Sequence, residues 1–281
     1  WKGSLASSLL TIVVVVRNKL TMRSTPISIT APRRNLDSVE AEKAGCPKDH
    51  LERIVREVHG KGPPLIEETD GLLHSSLDTL KRELAVSRCA EYNRAVTSCS
   101  EYVNSDDFLL MFLRADGFNV HGAAQRMEKY WEHRLRLFGD EVAFQPRPIR
   151  LTDLSDEDLA TLRSTGLQLL PIRDKAGRAL ILSTRRKCLF EDRKEIGRLT
   201  WYLFHAALED VGVQRSGVIL LMYDDGPFGL EHYDRKLDKL CLELLTQSLP
   251  VRPIAVHHFY DSKMMDFVLP FVLFLMGREI R

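Results

Sequence analysis

The side chains of this chain best suited to chemistry are two adjacent pairs near predicted strand ends, Asp224-Asp225 and His257-His258. Paired carboxylates can hold a divalent cation, and neighbouring histidines can ligate a metal or take up a proton. The surrounding sequence argues against both uses. Asp224-Asp225-Gly226-Pro227 has the composition of a plain turn after a strand. His257 and His258 fall on a strand, where successive side chains point to opposite faces, so they cannot chelate one ion from one side. The five cysteines (Cys46, Cys89, Cys99, Cys188 and Cys241) are odd in number and widely spaced, with no Cys-x-x-Cys and no mixed His/Cys cluster. That pattern fits reduced thiols in a cytosolic protein better than a disulfide frame or a zinc site. No Gly-x-Gly-x-x-Gly follows a strand, and there is no Walker loop, Gly-x-Ser-x-Gly elbow or His-Glu-x-x-His. The expectation is a non-enzymatic protein with no cofactor and no metal.

The elements that would carry a site fall into three stretches. The 281 residues can form one large domain or two small ones, and 44% hydrophobic with 28% charged residues is ordinary for a globular chain. A net charge of +1 gives no bulk attraction to nucleic acid. Residues 1–70 are expected to be a flexible N-terminal segment. It includes the apolar run Leu9–Val16, too short for a bilayer span of about 20 residues, and Met22 is the preferred natural start. A transit peptide over the arginine-bearing, acid-free stretch 22–34 is the second reading of that tail.

Residues 71–145 form a small helical unit. Leu72–Thr97 carries Leu73, Leu77, Leu80 and Leu84 on one face; Asn104-Ser105-Asp106 caps the next helix, and Asn119 the one after. From 150 to 281 the pattern alternates between strand and helix. Strands are expected at Leu167–Pro171 and Ala179–Leu182, joined by a hairpin turn over Arg173-Asp174-Lys175-Ala176-Gly177, and at Val218–Tyr223 and Ile254–Tyr260, with helices at Glu195–Asp210 and Leu230–Gln247, giving an α/β fold with a mixed, partly parallel sheet flanked by helices.

Two stretches are more specific. Asp106–Val120 (DDFLLMFLRADGFNV), continuing through Ala123-Ala124 to Tyr130-Trp131-Glu132-His133-Arg134, resembles the N-terminal helical unit of CRAL-TRIO proteins. Leu169–Pro171, Asp174–Ala179, Gly217–Met222, Asp234–Lys236 and Leu249–His257 are similar, in that order, to successive parts of the lipid-binding domain of that family. The resemblance covers roughly residues 75–281, and the family's further helix and final strand have no counterpart before Arg281.

The resemblance implies a carrier that holds one hydrophobic, lipid-like molecule in an internal pocket and transfers it between membranes or presents it. The alternative is a ligand-free module for interaction or membrane recruitment. Pocket residues are expected at Thr200, Leu203 and Phe204 on one helix, at Cys241, Leu244 and Leu245 on another, and at Val218, Leu220, Met222, Val256 and His258 on the strands. Thr200 and His258 are the polar contacts of that set. Met264–Met276 stands where the family places its gate helix, contributing Phe267, Phe271 and Phe274. The lysine that phosphatidylinositol-binding members carry beside the gate is missing, which argues against phosphoinositide headgroup recognition. Arg252, Arg278 and Arg281 are the candidates for contact with a membrane surface or headgroup. A monomer is expected, cytoplasmic and peripherally membrane-associated, with a lipid and a transient membrane surface as partners.

Overall fold

The computed structural model describes residues 11–16, 66–184, 187, 192–224 and 234–260. They form an α/β protein with five strands: β1 (Thr11–Val16), β2 (Leu167–Arg173), β3 (Ala179–Thr184), β4 (Val218–Asp224) and β5 (Pro253–Tyr260). The helices of the first half are α1 (Asp70–Leu84), α2 (Ala90–Ser98), α3 (Ser100–Val103), α4 (Asp106–Ala115) and α5 (Val120–Ala143). The second half adds α6 (Asp156–Arg163), α7 (Arg193–Leu208), α8 (Val211–Ser216) and α9 (Arg235–Glu243), which runs on into a π-turn at Leu244–Ser248.

Local chemistry explains most of the boundaries. Thr69 and Asn119 accept hydrogen bonds from the free amides of Leu72 and Gly122 and so start α1 and α5. Reciprocal capping boxes start α6 (Ser155 with Asp158) and α7 (Asp192 with Glu195), and Asp234 receives two amides at the start of α9. Ser105 precedes α4 but does not cap it; its hydroxyl donates to the Tyr102 carbonyl instead. The single helix expected over Leu72–Thr97 is divided between α1 and α2. In the break the Ser87 hydroxyl bonds Glu128, and its carbonyl accepts from Asn93, so both polar groups are satisfied outside a helix.

The sheet order is β1-β5-β4-β3-β2. β2 and β3 form the expected antiparallel hairpin, and β3, β4, β5 and β1 run parallel. Thr11–Val16, placed by the sequence in a flexible segment, pairs with β5 in register Thr11↔Ala255 to Val16↔Tyr260. Its β-branched content suits a strand.

The helical unit and the sheet share one core. Leu80, Phe108, Phe112, Tyr130 and Trp131 from the first half join Ile181, Leu199, Trp201, Phe204, Val218 and Leu244 from the second in a single cluster. Tyr130 lies 4.6 Å from Trp201, ring to ring. Arg126, paired with Asp116, donates to the Leu249 carbonyl at 3.1 Å, and His133 bonds Ser248 within the π-turn. Arg134, fully buried, has its guanidinium 5.1 Å from the Trp131 ring and donates to the carbonyls of Gln145 and Arg147.

Gly217 joins α8 to β4 with φ of +90°. A Cβ there would come within 2.6 Å of both the Arg252 carbonyl oxygen and Ile254 Cγ1. Gly217→Ala is therefore expected to lower stability by about 2 kcal/mol, combining left-handed strain with the clash, as measured by urea unfolding.

Candidate functional site

Strand alternation divides the sheet into two unlike faces. On the first, Ile181 stands beside Leu220 and Leu220 beside Val256, while Met222 stands between Ser183 and His258. Ile181 and Val218 belong to the main core with α7 and the π-turn, and Leu220 packs on its margin. Here lie most of the residues expected to line a pocket. Thr200, Leu203, Phe204, Val218 and Leu244 are buried, the four apolar ones within the main core. Leu220, Met222 and Val256 meet Leu242 in a smaller cluster, and Cys241 and Leu245 are half-buried nearby on α9 and the π-turn.

His258 is also on this face, but it is already occupied. Its Nε2–H donates to Asp224 Oδ2 at 2.6 Å, with both side chains under a tenth exposed, and the Tyr260 ring lies 5.4 Å away. Asp224 is therefore the last residue of β4 and the carboxylate partner of a core histidine, not the first residue of a turn. Asp225–Pro227 lie outside the described residues, as do Phe267, Phe271, Phe274, Arg278 and Arg281.

The second face is formed by the intervening residues. Its rows across β3, β4 and β5 are Leu180–Ile219–Ala255, Leu182–Leu221–His257 and Thr184–Tyr223–Phe259. Ile219, Ala255 and Thr184 are buried, Leu180, Leu182, Leu221, His257 and Phe259 are half-buried, Tyr223 is 41% exposed, and no apolar residue of these rows belongs to the main core. Strands of a parallel sheet are normally covered on both sides, so an apolar, incompletely covered face marks where something else binds or packs. These residues were missed by the sequence reading for a simple reason. The alternation was legible, but which parity the helices cover depends on long-range packing.

His257 differs from every other residue at the centre of this face. It makes no hydrogen bond or ion pair among the described residues. Burial, and then the nearby Arg178 charge, push its pKa below the usual histidine value, which favours the neutral ring.

Arg252 was expected at a membrane surface but is only 8% exposed. It lines a shallow cleft with Ile66, Glu68, Arg114, Gly117, Phe118 and Arg215, and donates to the Arg215 carbonyl at 3.0 Å. Burial pulls its pKa below the usual arginine value. In the same cleft Glu68 joins Arg114 and Arg215.

Cys89, Glu91 and Glu132 bring ligand atoms within 4.8 Å of one another. Glu132 is already bonded to Lys129, and burial raises the Cys89 thiol pKa, both of which work against metal binding. No helix among the described residues is long and apolar enough to cross a membrane. No protein-family model matches the chain, and no curated protein matches it.

Proposed function

We propose that this protein is a CRAL-TRIO-type carrier, monomeric and non-catalytic, that holds one lipid-sized molecule against the second face of its sheet. The observation that carries the reading is the half-buried apolar surface of Leu180, Leu182, Leu221 and Phe259, set apart from the main core. The order of sequence motifs along residues 75–281 supports it. In this reading the carrier visits the cytoplasmic surface of membranes to load and unload.

Chemistry favours such an arrangement. Each methylene shielded from water stabilises the complex by about 0.8 kcal/mol, so a tail laid along the apolar residues of these rows offsets the opening of the site. The membrane interior is equally apolar, so exchange between the two can be nearly neutral.

The test is to strip the purified protein of lipid and titrate it with phosphatidylcholine vesicles containing a fluorescent acyl lipid. Saturation at one probe per chain is expected. Leu182→Gln combined with Leu221→Gln should weaken binding about 100-fold, because each half-buried leucine contributes about 1.4 kcal/mol to the lipid surface. No saturable binding would point to a ligand-free recruitment module. Unchanged binding in the double variant would place the ligand elsewhere.

A further inference from the structure

Resting on that reading, we infer that His257 is the residue that selects the polar group of the ligand, and that it selects a neutral hydroxyl. The two adjacent histidines of β5 face opposite sides of the sheet and have unequal surroundings. His258 is committed to Asp224 within the core. His257 stands in the middle row of the lipid face, beside Leu221 and with Leu182 one strand beyond, and has no hydrogen-bond partner among the described residues. The other polar side chains of these rows, Thr184 and Tyr223, are in the last row towards the carboxyl ends of the strands.

A neutral imidazole presents one N–H donor and one lone-pair acceptor. Covered by a hydrocarbon, it would lose its contact with water and gain nothing in exchange. A hydroxyl can both donate and accept, and so can meet whichever ring nitrogen faces it. A carboxylate is a poor substitute. It offers acceptors only, and burying its charge on an apolar face needs a paired cation. Among the described residues the cation that acts on His257 is Arg178, whose guanidinium is already held by Asp174 at 2.6 Å. The ligand class that fits is a long-chain or polycyclic alcohol, with its hydroxyl at the middle row and its hydrocarbon body along Leu180, Leu182, Leu221 and Phe259.

The experiment competes 1-hexadecanol, hexadecane and palmitate, each delivered in phosphatidylcholine vesicles at pH 7.5, against the fluorescent acyl probe on the full-length protein. Wild-type protein should prefer hexadecanol to either competitor by at least about tenfold after correction for vesicle partitioning. His257→Phe should still bind the probe but show a preference near one. His257→Gln, which keeps a donor and an acceptor, should retain most of the selectivity. His258→Phe is the control for structure: whatever it does to stability, any folded fraction should keep the preference. Equal preference ratios in wild type and His257→Phe would overturn the assignment of His257 while leaving the carrier reading intact. Failure of the probe to bind wild-type protein would overturn both.

Discussion

Glu68→Gln is expected to lower the unfolding free energy by about 3 kcal/mol at pH 7, the typical effect of removing one partner from a buried ion pair. Glu68 lies just before α1 and meets two arginines from distant parts of the chain. Arg114 Nε and Nη2 each donate to it at 2.9 Å, and Arg215 Nε and Nη2 at 3.0 and 2.7 Å. Its side chain is 7% exposed and that of Arg114 9%, so the substitution leaves a guanidinium charge in the interior with its partner gone. Arg215 is half exposed and contributes less, because water already solvates it. Hydrogen bonds from Arg114, and then from Arg215, hold the Glu68 pKa down to about 2 against the opposing effect of burial. A carboxylate whose folded pKa is depressed stabilises the fold above its unfolded value of 4.5, and that stabilisation disappears as pH falls towards 2. Urea unfolding at pH 7 and pH 3 should therefore show a gap between wild type and variant that narrows in acid. A gap below about 1 kcal/mol at pH 7 would mean that the clamp only offsets its own desolvation.

His205→Phe should have the opposite effect, protecting the protein in acid. The His205 ring is buried against Tyr130 and Trp201, with centroids 5.6 and 5.7 Å away, and its Nε2 has no hydrogen-bond partner among the described residues. Burial, and secondarily the Arg134 charge, push its pKa down to about 3, from 6.5 in an open chain. Between those values the unfolded state holds more protons than the folded one. Stability is thus lost as pH falls through the window, at about 1.4 kcal/mol per pH unit and roughly 5 kcal/mol in all. Phenylalanine fills similar space without a titrating group. Melting followed by circular dichroism should show similar behaviour for both proteins above pH 7 and a growing advantage for the variant below pH 6. Because the Glu68 window opens only below 4.5, the two effects can be separated on the pH axis. Parallel pH profiles would refute the assignment to His205.

Much of the fold was legible because its signals are local. The cap at Asn119, the hairpin around Asp174–Gly177 and the apolar strand at Val218 each announce themselves within a few residues. The α1–α2 break was missed because Leu77, Leu80 and Leu84 continue a helical stripe, while the interruption depends on Ser87 reaching Glu128, 41 residues away. The π-turn was likewise hidden. It sits where the Leu230–Gln247 stripe predicts an ordinary helix, and His133 anchors it from 115 residues earlier. For the site, alternation correctly put His257 and His258 on opposite faces, and only the structure shows that Asp224 occupies His258. The Glu68 clamp joins residues 46 and 147 positions apart, a distance no periodicity can encode.

The sharing of one core between the first and second halves bears on how the chain is made. The amino-terminal helices leave the ribosome first, yet Tyr130 must wait for Trp201 and Arg126 for the Leu249 carbonyl, 123 residues later. Until then the side of α5 destined for α7 and the π-turn has nothing to shield it. Vectorial synthesis thus holds a greasy helical surface open through the emergence of β2, β3 and β4, and the final packing is deferred until the segment leading into β5 arrives.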